Sequence, residues 1–157
     1  MKRVACVAFL VAACVAAATS AAAVGAQAAS CTATAPDAFG PFGRGMPPVR
    51  SKIGSGHVLT GVVLSAAGCK PLRHASVQFW QANRNGVYTR AGSATVFTDR
   101  NGRFRFEGPF PPSYEGLPGH IHIRVTAPDH VSLLARYVPA PREKIGTVRL
   151  VLRPAAL

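Results

Sequence analysis

Acidic side chains are scarce in this sequence. Six Asp or Glu residues stand against 18 Lys or Arg, which gives the 157-residue chain a formal charge of +12 at pH 7. Such a charge is typical of proteins that bind polyanions. The basic residues are scattered, however, and form no run interleaved with aromatic residues. This absence argues against nucleic acid as a partner, and we interpret the charge as a solvated surface that attracts acidic aromatics or polymers.

Helical periodicity and internal repeats are also missing beyond the first 28 residues. Short alternating runs separated by turn residues take their place, as in proteins built from strands. We predict strands over residues 57–64, 75–81, 103–106, 120–127, 133–138 and 146–152. The pattern therefore predicts an all-β fold, with a single β-sandwich domain over residues 57–157.

The one long hydrophobic run lies at the N-terminus. Lys2 and Arg3 precede an apolar stretch over residues 4–15, and small residues follow, with Ala-x-Ala sites at 26–28 and 21–23. This is the pattern of a signal peptide, which we place at residues 1–28. We therefore expect export to the periplasm or the medium without stable membrane insertion. An uncleaved anchor is the alternative that the pattern leaves open.

Cysteine is rare, and two of the four cysteines fall inside the predicted signal peptide. Cys31 and Cys69 are the other two. An even number of cysteines in an oxidising compartment favours a disulfide, and two reduced thiols are the alternative. The bridge would tie residues 29–56 to the start of a strand. We call this Pro- and Gly-rich segment without periodicity the N-terminal arm.

Two histidines and two tyrosines are the most informative residues. In a strand, His120 and His122 point to one face and Ile121 to the other. Taken alone, a His-x-His strand is usually an exposed polar face. Tyr88 and Tyr114 lie in flanking turn-rich segments, where a tyrosine is usually a core-rim residue with a bonded hydroxyl. Together, the two imidazoles and two phenols form a candidate metal site.

The remaining histidines and aromatics have structural interpretations. His57, His74 and His130 show no ligand spacing, and we expect them at the surface or in caps. We expect Trp80 in the core and Tyr137 in the core or a pocket wall.

Several motifs in order resemble those of the intradiol ring-cleavage dioxygenases, the catechol and protocatechuate class. The order of the motifs makes the likeness more specific than any one of them. They are residues 69–82 with 86–88, residues 98–106, a Pro-rich turn with a Tyr, and His-Ile-His; residues 40–42 with 49–53 match more loosely.

The resemblance implies a mononuclear, non-haem iron, Fe(3+) or Fe(III), held by Tyr88, Tyr114, His120 and His122. A trivalent cation favours the phenolate form of tyrosine, whose free pKa is about 10. The resemblance also implies that substrate displaces Tyr114, which takes up a substrate proton. The partners would be a small aromatic diol and O2. The ring would open between its two hydroxyl-bearing carbons to give a muconate-type diacid.

Two positions depart from the family pattern. Leu117 stands where the resemblance places an Arg, three residues before the first His, and Arg136 aligns with a Gln. We predict that Arg136 supplies the missing cation from the other wall of the site. Loss of such a stabiliser costs about a hundredfold in rate. The alternative function is therefore a weakly active or inactive exported β-sandwich that binds aromatic or polyanionic ligands.

Overall fold

The computed structural model describes residues 31–37 and 45–156. The predicted signal peptide and residues 40–42 lie outside this range. The described residues form seven strands and no helix, so none of their elements is an apolar helix able to cross a membrane. The strands are β1 (His57–Ser65), β2 (Ser76–Ala82), β3 (Tyr88–Phe97), β4 (Arg103–Gly108), β5 (Ile121–Thr126), β6 (Leu133–Tyr137) and β7 (Ile145–Leu152).

The strands form two sheets, of order β4-β1-β7 and β3-β2-β5-β6. β1 and β7 pair in parallel, and the other neighbours pair antiparallel. The prediction of an all-β sandwich is confirmed.

The core lies between the sheets and follows the period of two. In β5, Ile121 and Ile123 are 0% and 1% exposed and point inward, as predicted. They pack in one cluster with Phe79 of β2 and Phe106 of β4, whose rings stack with centroids 4.4 Å apart. Burial of each such side chain contributes about 1.5–3 kcal/mol.

Strand β3 is a feature that the sequence analysis missed. Its first half, residues 89–91, is exposed, whereas residues 93–96 are all buried. The continuous burial arises because the arm pairs with this strand: Thr95 N donates to Pro48 O (2.7 Å) and Arg50 N to Thr95 O (3.0 Å). No alternation marks such a strand. Tyr88 is therefore the first residue of a strand and not part of a turn.

The described parts of the arm contact both sheets. The predicted disulfide between Cys31 and Cys69 is confirmed, with the Cα atoms 5.3 Å apart. Further along, Thr34 N donates to Val151 O (3.0 Å) in β7, and Asp37 N donates to Leu134 O (2.9 Å) in β6. The arm thus crosses from the smaller sheet to the larger one.

Two aromatic side chains lie elsewhere than expected. His57 is 1% exposed, because its ring stacks on Tyr137 and its Nδ1 lies 2.8 Å from Glu143 O; the surface prediction is wrong. Trp80 is buried as expected, but not in the core, since Phe79 beside it points between the sheets. Trp80 therefore lies on the outer face of the larger sheet.

Candidate metal centre

A tight loop brings Tyr88 to the site. Asn83 Oδ1 accepts hydrogen bonds from the backbone N–H groups of Asn85 (2.9 Å) and Val87 (3.0 Å), just before β3 begins. Gly86 has a φ of 75°, and a Cβ there would lie 2.9 Å from Tyr114 Cδ2. The absence of a side chain at Gly86 is what lets the loop approach Tyr114.

A second turn holds Tyr114. Leu117 N donates to Tyr114 O (2.8 Å), and Glu115 and Gly116 between them have φ values of 50° and 75°. Two consecutive positive φ values are typical of a type I′ turn. The turn directs the Tyr114 ring toward Tyr88 and leaves the Leu117 side chain 42% exposed.

The two histidines are buried, at 3% and 2% exposure for His120 and His122. Their interpretation as an exposed polar face is therefore wrong. His120 Nδ1 lies 2.7 Å from Pro118 O and donates to it, which assigns the proton to Nδ1 and leaves Nε2 with a lone pair. A backbone carbonyl orients metal-binding histidines in the same way.

The four predicted side chains converge. Tyr88 Oη lies 2.6 Å from Tyr114 Oη and 3.2 Å from His120 Nε2. His120 Nε2 in turn lies 3.3 Å from Tyr114 Oη and 3.2 Å from His122 Nε2. Four donors around a metal at about 2.0–2.1 Å would be spaced by roughly 3.3 Å in a tetrahedron. Three of the four distances match this spacing, whereas the two hydroxyls are hydrogen-bonded at 2.6 Å. The set of two oxygens and two imidazole nitrogens suits a metal such as iron.

The electrostatics of the site also suit a cation. Burial, together with the hydrogen bond to Tyr114, raises the pKa of the Tyr88 phenol above its ordinary value of 10. The phenol therefore keeps its proton unless a cation replaces it. Burial, followed by electrostatic interaction with His120 and Arg136, lowers the pKa of His122 to about 4. His122 is thus neutral near pH 7, as a metal ligand must be.

Arg136 lies beside this cluster. It is opposite His122 in the register of β5 and β6, and its Nε donates to Asp37 Oδ2 at 2.9 Å. Asp37 was not identified from the sequence. It lies outside the loosely matching motif residues of the arm, which has no periodicity, and its approach to β6 is a contact between segments about 100 residues apart.

Trp80 is the other neighbour that the sequence did not reveal. It is opposite His122 in the register of β2 and β5, and the guanidinium carbon of Arg124 lies 5.1 Å from its ring centroid. A cavity of about 120 Å³ between Trp80, Tyr88 and the arm residue Met46 adjoins the site.

Comparison with known proteins confirms the resemblance to intradiol ring-cleavage dioxygenases. The dioxygenase domain of a dioxygenase–carbohydrate-binding protein fusion from Streptomyces sp. SirexAA-E has a TM-score of 0.68 and 25% identity, over 79% of this chain and 100% of that one. An intradiol ring-cleavage dioxygenase from Tetranychus urticae has a TM-score of 0.69 and 20% identity, over 79% and 96%.

A curated relative has a higher identity over a shorter stretch. Hydroxyquinol 1,2-dioxygenase from Corynebacterium glutamicum is 29% identical over a match that covers 45% of this chain and 32% of that protein. The match thus spans about a third of the relative's length. No protein-family model matches the chain.

Proposed function

We propose that this chain is an exported Fe(III) intradiol dioxygenase. It would open a catechol-type ring between its two hydroxyl-bearing carbons and add both atoms of O2 to give a muconate-type diacid. The observation that carries the proposal is the grouping of two phenol oxygens and two imidazole nitrogens, in which His120 Nε2 lies 3.2–3.3 Å from the other three atoms and the two phenol oxygens lie 2.6 Å apart. The similarity to solved intradiol dioxygenases supports the same reaction class.

The ligands in this proposal are Tyr88, Tyr114, His120 and His122. When bound, Fe(III) supplies a Lewis-acidic centre that prepares a catechol for reaction with dioxygen. No external reductant is needed, because the ring carbons are oxidised as O2 is reduced. The carbonyl of Pro118 keeps His120 in the tautomer that a ligand requires.

Tyr114 is the proposed proton acceptor. Its ring sits on a two-residue turn, whereas Tyr88 is the first residue of a strand, so Tyr114 is the phenol with more freedom to leave its position. Its Oη would take one proton from the catechol, and Tyr88 would stay in place. The burial of both histidines limits the access of water to this exchange.

Arg136 is the proposed cation of the site. Leu117 supplies no charge on the turn after Tyr114, and Arg136 beside His122 would stabilise negative charge that develops on the substrate. Loss of such a group costs about a hundredfold in rate. Replacement of Arg136 with Ala in an active enzyme tests this role, and unchanged turnover would contradict it.

The alternative is an exported binding module with weak or no catalysis. It is favoured by Leu117 and by the ion pair of Arg136 with Asp37, because a carboxylate at 2.9 Å offsets the charge of the guanidinium. Such a module would bind aromatic or polyanionic ligands without consuming O2.

Iron loading distinguishes the two functions. Purified protein given Fe(III) should turn red-brown, since phenolate ligands of ferric iron give a visible charge-transfer band. Anaerobic addition of catechol should shift the band, and admission of O2 should then yield a ring-opened diacid. A colourless protein that binds no iron leaves only the binding module. N-terminal sequencing of the secreted protein tests the proposed export and cleavage after residue 28.

A further inference from the structure

The arm contributes a charged group to the edge of the candidate metal centre. Asp37 Oδ2 accepts a hydrogen bond from Arg136 Nε at 2.9 Å, with the two side chains 21% and 31% exposed. Asp37 is also attached through its backbone, whose N–H donates to Leu134 O at 2.9 Å. Two contacts to the same strand place this carboxylate more firmly than a single surface ion pair would.

The ion pair is a direct neighbour of a proposed ligand. Arg136 and His122 are opposite residues in the antiparallel pair β5–β6 and therefore share a face of the sheet. Cβ atoms of opposite residues lie about 4.5–5.5 Å apart. A substrate bound beside His122 would therefore approach both members of the ion pair.

The two charges of this ion pair offset each other. Arg136 alone would attract an anionic substituent on the substrate ring, but the Asp37 carboxylate repels the same substituent. Leu117, on the turn that follows Tyr114, carries no charge that could pair with a carboxylate. Burial of a charge without a paired opposite charge is unfavourable. A catechol without an ionised substituent avoids this cost.

We propose that Asp37, by its ion pair with Arg136, makes the site select catechols that lack an anionic ring substituent. This inference rests on the proposed function and adds a specificity-determining residue from the arm. It differs from the interpretation of the overall charge, in which the basic surface attracts acidic aromatics or polymers.

The test compares two probes, catechol and 3,4-dihydroxybenzoate, whose carboxylate is ionised at pH 7. Their dissociation constants are measured by anaerobic titration of Fe(III)-loaded protein, so turnover is not needed. We expect wild-type protein to prefer catechol. Asp37→Asn should shift the ratio of the two constants toward 3,4-dihydroxybenzoate by about fivefold, because it leaves the guanidinium charge uncompensated.

Two further variants make the result specific. Arg136→Gln should shift the ratio in the opposite direction, toward catechol. Glu107, on the smaller sheet, forms an ion pair with Lys52. Glu107→Gln also removes one carboxylate charge from an ion pair, and it should leave the ratio unchanged. If Asp37 had only a structural role, Asp37→Asn would weaken the binding of both probes equally. If Asp37→Asn does not fold, Arg136→Gln tests the inference. A shift of the ratio toward catechol supports it, and a shift toward 3,4-dihydroxybenzoate contradicts it.

The outcomes separate the inference from the proposed function. Wild-type protein that binds neither iron nor catechol overturns the dioxygenase assignment and the inference with it. Protein that binds both, with an unchanged ratio in Asp37→Asn or an equal shift in Glu107→Gln, overturns the inference alone.

Discussion

The outer faces of the two sheets differ sharply. On the larger sheet, Trp80 and His122 point away from the core yet are only 2% exposed. On the smaller sheet, the outward residues Arg103 and Arg149 are exposed. The side chain of Lys52, which pairs with Glu107 of β4, is 59% exposed. Strand geometry is the same on both sheets. The difference arises because the arm and loops cover the outer face of the larger sheet. A polar sheet face can thus become a buried site when other segments pack over it.

The largest expected effect comes from removing a proposed ligand on the covered face. His122→Ala leaves three of four donors, and we expect iron affinity to fall by on the order of a hundredfold or more, with loss of the visible band. Arg103→Gln on the open face is the control and should leave both unchanged. A His122→Ala protein that keeps the band would erase the distinction between the two faces.

Loss of the disulfide should loosen the arm that covers the larger sheet. Cys31→Ser together with Cys69→Ser releases the start of the arm, and we expect the free energy of unfolding to fall by about 2–4 kcal/mol. Urea titration measures this. Wild-type protein in reductant should match the variant, and a stability equal to that of the oxidised wild type would mean that Thr34 and Asp37 anchor the arm unaided.

Substitution of Gly86 should change one contact in the covered site, the approach of the loop to the Tyr114 ring. Gly86→Ala combines a positive φ of 75° with a Cβ 2.9 Å from the Tyr114 ring. We expect a cost of about 1–2 kcal/mol and an altered visible band. Gly45→Ala is the matched control, because its φ is 79° and nothing lies within 4 Å of its Cβ. Equal effects on the band would refute the role of the Tyr114 contact.

The smallest effect is expected on the open face. Hydrogen bonds from Lys52 and Arg105 lower the pKa of Glu107 below its ordinary 4.5. Because the folded pKa is depressed, the stabilisation is present above pH 4.5 and is lost as the pH falls through the folded pKa. Wild type and Glu107→Gln should therefore differ slightly in stability at pH 6 and converge in stronger acid. A stability difference between the two proteins that grows as the pH falls would contradict this prediction.

Local periodicity predicted most of the fold. Strand β5 shows why: Ile121, Ile123 and Val125 alternate with polar residues, and all three are buried in the core. Strand β3 was not predicted because residues 93–96, where the arm pairs with the strand, are all buried and show no alternation. His57 escaped for a similar reason, since its burial depends on Tyr137, 80 positions later.

Some residues of the candidate site could likewise be predicted from the sequence, and others could not. Tyr88, Tyr114, His120 and His122 were identified because their residue types and order resemble a known family, and the described structure brings them together. Asp37 and the site-side position of Trp80 were not identified. Asp37 belongs to none of the motifs, and the motif over residues 69–82 does not show what packs on Trp80. Both residues owe their role to what packs over the outer face of the larger sheet.

By itself, the sequence determined the alternation that makes strands, the facing of the paired histidines and the set of four donor side chains. These depend on neighbours a few positions apart. Only the tertiary structure decided that Tyr88 and Tyr114, 26 residues apart, have hydroxyls 2.6 Å from each other, and that an arm carboxylate offsets Arg136. The physical reason is that such contacts arise when distant segments pack against one another, and local periodicity carries no record of which segments will meet.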